Sequence, residues 1–314
     1  MHDNAIAFFE RTAGETRDPP LFHQCWYPVA LAPEVNATRP LGLDFLGTRI
    51  VVYRDGAGKA VVQEAWCPHL GADLSLGQCI EGTIRCPYHH WRFAGDGVCI
   101  DIPAGDKIPP GAKIFTFPTQ EAWGLVWAFN GDVPLYDLPT IPGVREDELL
   151  IATYARALRT TPPWLSASNG VDFQHLRTLH NLQTGAPDTI DVRDHQIEYC
   201  IDTSAYLQHG EIFGTNVFAQ HLRIEAMHHY MLFAGMPLDA GRTAGFYVVG
   251  VRKPEPEFYR RACALLAIEP AEAVFLDDLG VNLKPARAMG MQTIKVESAA
   301  QAIAALEGVL GHPL

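Results

Sequence analysis

Trp66–Gly77, WCPHLGADLSLG, and Cys86–Phe93, CPYHHWRF, each bring a cysteine, a proline and a histidine together within four residues. The joint pattern is Cys-x-His, sixteen residues, then Cys-x-x-His. Each segment therefore offers one soft thiolate and one imidazole. A [2Fe–2S] cluster with two cysteines on one iron and two histidines on the other needs that donor set, and neutral imidazoles in place of two thiolates raise its potential. Pro68 and Pro87 stiffen the chain after each cysteine, and Gly71, Gly77 and Gly82 allow turns around the first segment. A structural zinc site can use the same four donors, but zinc motifs more often bring paired cysteines at one end.

Around these segments, from Leu46 to Phe129, short apolar runs alternate with turn signals: GTRIVVYR, DGAGK, AVVQEAW, GVCIDI and WGLVWAF before Asn130-Gly131. That is the spacing of an all-β unit. With the Cys-Pro-x-His element included, the region from about Trp26 to Phe129 resembles a Rieske domain. The resemblance implies that Cys67, His69, Cys86 and His89 ligate the cluster. His90 stands where Rieske loops usually carry glycine, so it is expected to be a neighbour of the cluster. Cys79, between the two segments, is expected to be a small buried residue.

The whole chain bounds the remaining readings. Its 314 residues suffice for two domains or more, and 48% hydrophobic with 19% charged residues is an ordinary globular composition. The 24 basic and 36 acidic side chains give a net charge of −12, which works against nucleic-acid or anionic-membrane binding. The start, MHDNAIAFFERTAGE, has no basic segment followed by an apolar core, and no apolar run approaches the ~18 residues of a membrane span. A cytoplasmic protein is expected. Seven cysteines, an odd number, fit metal ligation plus buried thiols better than a disulfide framework.

The proline-rich stretch DVPLYDLPTIPGV reads as a linker, and beyond it helical character over Trp164–His180 precedes the strand-like runs IEYCIDTSAYL, EIFGTNVFA, MHHYMLFA and TAGFYVVGV. An antiparallel sheet with a helix packed on it is expected. In NGVDFQHLRTLH, Asn169, Asp172 and His175 follow at intervals of three, on adjacent helical turns. His175 and His180 are five apart, so on an ideal helix the second ring is rotated well off the first; the helix must end, bend or carry a π-type turn there. Two helical histidines alone are more often surface or core residues. Beside the cysteine–histidine segments, the two domains together resemble the oxygenase component of Rieske non-haem iron (aromatic ring-hydroxylating) oxygenases, over about residues 26–250. The resemblance assigns His175 and His180 to a mononuclear Fe(II) and makes Asp172 the bridge between a neighbouring subunit's cluster and the iron. It sets Asn169 close to the metal and implies a homotrimer. It further implies O₂ and an apolar, aromatic or steroid-like substrate that is hydroxylated or demethylated. Electrons come indirectly from NAD(P)H through a ferredoxin or flavin reductase, because the chain has no GxGxxG fingerprint of its own.

The third iron ligand of that family is an aspartate on a late helix, and no such motif is recognisable here. From about Val251 the chain alternates helix, strand, helix, strand, then the helix SAAQAIAALEGVL. This segment is similar to the C-terminal half of haloacid-dehalogenase-type hydrolases, which would give Lys253, Asp277 and Asp278 phosphatase roles, yet the sequence has no Asp-x-Asp nucleophile element. Asp277, Asp278, Glu297 and Glu307 are the carboxylates of this segment considered as replacements for the third ligand, and none is favoured. The expected fold is α+β: an all-β Rieske domain at 1–135, a partial helix-grip-like antiparallel sheet with helices at 136–250, and a small α/β Rossmann-like fragment at 251–314. Two other classes remain: a [2Fe–2S] electron-transfer or redox-sensing protein, and a phosphatase-like enzyme, against which the missing nucleophile argues.

Overall fold

The computed structural model describes residues 22–181, 185–204, 206–224, 227–253 and 256–313. Strands dominate and the helices are few and short. The first eleven strands are β1 (Trp26–Leu31), β2 (Leu41–Phe45), β3 (Thr48–Arg54), β4 (Ala60–Glu64), β5 (Gln78–Ile80), β6 (Thr83–Arg85), β7 (Arg92–Phe93), β8 (Cys99–Asp101), β9 (Thr116–Phe117), β10 (Thr119–Ala122) and β11 (Leu125–Phe129). They form three antiparallel sheets, in the orders β1-β11-β10, β2-β3-β4-β9 and β5-β6-β7-β8. Fully buried Trp26, Tyr27, Phe45, Phe117, Trp127 and Phe129 fill the core, with edge-on ring pairs such as Phe45–Phe117 at 5.5 Å.

The next seven strands, β12 (Leu149–Arg159), β13 (Thr189–Arg193), β14 (Gln196–Asp202), β15 (Tyr206–Phe213), β16 (Val217–Ile224), β17 (Met227–Pro237) and β18 (Thr243–Arg252), make one sheet in the order β12-β18-β17-β16-β15-β14-β13. From β13 to β18 it is an antiparallel meander. Three expectations change here. EIFGTNVFA is not one strand but the end of β15, a turn at Gly214, and the start of β16, because glycine at φ 55° lets the chain reverse. IEYCIDTSAYL divides between β14 and β15. Trp164–His180 is not one helix but a short helix at Trp164–Ser168, a 3₁₀ turn at Asn169–Val171 and a second helix at Phe173–Thr178. The break falls at Asp172, whose non-helical backbone (φ −84°, ψ 78°) makes it the N-cap of the second helix.

These short helices lie on one face of the sheet. Ala167, Tyr199, Ile201, Tyr206, Ile212 and Phe218 share a buried cluster, with Phe173 packed against it. Gly170 fits because it has no side chain: a Cβ there would enter the Phe218 ring. Its carbonyl accepts the Tyr199 hydroxyl, which fixes the turn before Asp172 to the sheet.

The small sheets are tied to the large one through its strand ends. Asn216 donates to the Trp26 carbonyl at 2.9 Å, Leu46 N–H to Pro237 O at 2.9 Å, and Gly47 N–H to Leu238 O at 2.8 Å. The chain divides into two compact units, one containing the described residues up to Asp147 together with Ile151–Val251, the other Glu148–Leu150 with the described residues from Arg252 onward. In the second unit, β19 (Val274–Asp277) and β20 (Gln292–Lys295) pair in parallel, among helices at Pro256–Leu266, Gly280–Ala288 and Ala299–Leu310. Tyr259, Cys263, Ala286 and Met291 are its buried centre. Among the described residues no helix is long and apolar enough to cross a membrane.

Candidate functional site

The two cysteine–histidine segments fold into loops closed in the same way. Cys67 N–H donates to Ala72 O at 2.9 Å, and Cys86 N–H to Trp91 O at 2.8 Å, each spanning five residues. The residue before each acceptor has left-handed backbone: Gly71 at φ 71° and His90 at φ 61°. His90 thus holds the place glycine holds in the first loop, at a conformational cost of about 1–2 kcal/mol for a residue with a Cβ. Gly77 lets the second loop's stem approach, since a Cβ there would strike the Arg85 carbonyl.

Within these loops the four donors separate by chemistry. Cys67 and Cys86 are each 2% exposed and lie in the same buried cluster as Tyr53, Leu74, Ile84 and Phe93. Burial, and after it the neighbouring Cys86, push the Cys67 thiol up to about 11 against the lowering effect of backbone N–H groups at His69 and Leu70. The Cys67 thiol, buried beside Cys86, is therefore stable while protonated or on a metal. His69 and His89 are exposed, with ring centroids 4.7 Å apart, and Trp91 stacks on His69 at 4.5 Å with its plane tilted by only 4°. A buried sulfur pair and a solvent-facing imidazole pair fit a two-iron cluster with unlike ends. Cys79 is half-buried against the same core.

On the large sheet, His175 sits in the last turn of the Phe173–Thr178 helix, and His180 follows beyond its C-cap Leu179. Ending the helix there turns the His180 ring back. The two Nε2 atoms come to 2.9 Å of one another, with ring centroids at 4.7 Å. Two donors bound to one metal at ~2.1 Å and at right angles would lie roughly 3 Å apart. His175 Nδ1 is buried and has no hydrogen-bond partner among the described residues. Asp172 Oδ1 accepts the His175 backbone N–H at 3.0 Å, so this exposed carboxylate caps the helix that carries the first histidine. Asn169 is exposed in the preceding turn. Among the described residues no carboxylate, thiol or further imidazole joins His175 and His180 within 4.8 Å.

Two features were not read from the sequence. Trp91 is a stacking partner for His69. Glu198, His209 and Glu211 bring their ligand atoms within 4.8 Å of one another. His209-Gly-Glu211 carries period-two spacing in the sequence, but its pairing with Glu198 depends on strand register.

Residues 25–118 match the sequence profile of the family described as the Rieske [2Fe-2S] domain. The chain is 31% identical over 173 residues to "Cholesterol 7-desaturase nvd" of Bombyx mori, a match covering 52% of this chain and 36% of that protein. It is 29% identical over 226 residues to the "3-chlorobenzoate-3,4-dioxygenase oxygenase subunit" of Comamonas testosteroni, covering 68% and 50%. The matches thus span a third to a half of these relatives' length. Its fold is similar to that of Pseudomonas putida CBB5 NdmA, solved as a QL mutant with caffeine, at TM-score 0.62 and 21% identity over 88% of this chain and 84% of that one. Residues 25–118 therefore form a Rieske [2Fe-2S] domain, in a chain similar in sequence to a dioxygenase oxygenase subunit and in fold to NdmA.

Proposed function

We propose that the chain acts as a Rieske-type oxygenase component that uses O₂ to hydroxylate or demethylate an apolar, aromatic or steroid-like substrate. The observation that carries this reading is the meeting of the His175 and His180 Nε2 atoms at 2.9 Å in a chain with paired cysteine–histidine loops. We divide it into a Rieske [2Fe–2S] domain at 1–135, a partial catalytic domain at 136–250 and a C-terminal fragment at 251–314. When bound, the [2Fe–2S] cluster supplies single electrons and the mononuclear iron activates O₂.

The chain's own residues do the rest. Cys67 and Cys86 hold the cluster from the buried side, and their pocket keeps water from the thiolates. His69 and His89 present their rings at the surface, where an electron donor or a second copy can meet them. His175 and His180 offer two neutral donors for Fe(II). Asp172 fixes the start of the first histidine's helix and is assigned the link between a neighbouring copy's cluster imidazole and the iron site; Asn169 is assigned a place close to the iron. This assignment goes with a homotrimer in the cytoplasm, fed from NAD(P)H through a ferredoxin or flavin reductase. Residues 251–314 are read as a fragment similar to the C-terminal half of haloacid-dehalogenase-type hydrolases. Support comes from the parallel β19–β20 pair and from Asp277, whose two carboxylate oxygens accept from Asn282 at 3.0 and 3.1 Å.

The absence, among the described residues, of a third donor beside His175 and His180 favours a second reading, an electron-transfer or redox-sensing protein in which the cluster alone works. Anaerobic reconstitution followed by desalting separates the two. Two imidazoles leave Fe(II) under-coordinated and uncompensated in charge, so about two irons and two sulfides per chain should remain, with a third iron held only while Fe(II) is in excess. Substrate-dependent O₂ consumption in that excess supports the oxygenase. No consumption with any aromatic or steroid tested, beside a cluster that still cycles, leaves the electron carrier.

A further inference from the structure

We propose that Glu198, His209 and Glu211 form a second divalent-metal site, on the opposite face of the large sheet from His175 and His180. The register fixes the face. Glu198 on β14 pairs directly with Glu211 on β15, and His209 lies two residues before Glu211, so all three project to the same side. Tyr199, next to Glu198, points the other way, to Gly170 and the Phe173 ring at 5.1 Å.

Their ligand atoms converge within 4.8 Å, with His209 Nε2 at 2.8 Å from Glu198 Oε1 and 3.8 Å from Glu211 Oε1. Donors sharing a metal at ~2.0–2.2 Å stand roughly 3–4 Å apart, so small side-chain rotations close the set. Each carboxylate also has its outer oxygen held from behind. Arg193 donates to Glu198 Oε2 at 2.8 Å, and Gln196 to Glu211 Oε2 at 3.3 Å, which leaves both Oε1 atoms facing the imidazole. Oriented ligands backed by outer hydrogen bonds are what metal sites need.

The charge points the same way. Two carboxylates directly opposed across a strand pair repel each other, and Glu211 is only 8% exposed. Arg193 pairs with Glu198 at 2.8 Å, while among the described residues the His209 ring is the only ion-pair partner of Glu211. A divalent ion would supply the positive charge that the Glu211 side of the pair lacks. One nitrogen with two carboxylates suits Zn²⁺ and holds Fe²⁺ more weakly, so that Fe²⁺ leaves it on desalting, where Ca²⁺ and Mg²⁺ prefer oxygen alone and Cu⁺ prefers sulfur. Bound there, it would cross-link β14 to β15 near the β13 edge.

The inference stands apart from the oxygenase reading and is tested without turnover. Zn²⁺ is titrated calorimetrically into the cluster-loaded H175A/H180A protein, with the visible spectrum confirming an intact cluster. One Zn²⁺ per chain is expected, with affinity falling at least about tenfold in Glu211→Gln and in His209→Ala, both made on that background. Zn²⁺ should also raise the thermal midpoint of the parent and not of the Glu211→Gln protein. A neighbouring pair, His221 Nε2 and His228 Nδ1, lies at 2.8 Å on β16 and β17. Loss of binding in His221→Ala with none in Glu211→Gln would move the cation to that pair and overturn the assignment, as would no binding at all.

Discussion

His90 shows how one residue discriminates between ligand and neighbour. Its left-handed backbone at φ 61° belongs to a glycine-like position, while His89 next to it presents its ring to His69. His89→Ala should abolish the visible absorption of the cluster. His90→Gly should keep it and raise unfolding stability by about 1–2 kcal/mol, read by denaturant titration. The reverse pattern would shift the ligand by one residue. Glu64, at the end of β4, is pushed up to about 7 from an ordinary 4.5 by burial. The folded state therefore holds a proton that the unfolded state has released between those values, and stability falls as pH rises through them. Glu64→Gln should match the parent's thermal midpoint below pH ~4.5 and exceed it increasingly up to pH ~7, with a constant gap beyond. A gap that is widest in acid would have the sign wrong.

At the scale of elements, the broken helix is what makes the histidine pair. A continuous helix would rotate His180 away from His175 by its five-residue spacing; the end at Thr178 and the cap at Asp172 bring the rings together instead. Asp172 has two roles that substitutions can separate. Asp172→Asn keeps a capping oxygen, so helix content and Fe(II) binding in excess metal should persist, while single-turnover reoxidation of the cluster slows by about 10–100-fold. Unchanged reoxidation would remove Asp172 from the electron path.

At the scale of the whole molecule, the C-terminal unit shows, among its described residues, one parallel strand pair over about sixty residues. A parallel pair so short leaves open edges, and a chain of that length is marginal for independent folding. The isolated segment Val251–Leu314 should therefore unfold without a cooperative transition in calorimetry. A sharp, reversible endotherm would make it a domain in its own right.

The cysteine–histidine segments were legible because their chemistry is local: the donors sit within four residues, and tight loops place them whatever surrounds them. The all-β character of the first domain, the strands of β17 and β18 and the order of C-terminal elements were legible from periodicity and turn residues. β12 and β13 escaped notice, since Ala152, Thr153 and Ala155 weaken the pattern in one, and the other is fully exposed. The convergence of His175 with His180, the stacking of Trp91 on His69 and the meeting of Glu198 with His209 and Glu211 belong to tertiary structure. The first depends on where a helix stops, the second on how two loops meet, and the third on which residues face across a strand pair. Packing of the turn at Gly170 against Tyr199 and Phe218 sets the helix end, strand register sets the cluster on β14 and β15, and no short stretch of sequence contains either.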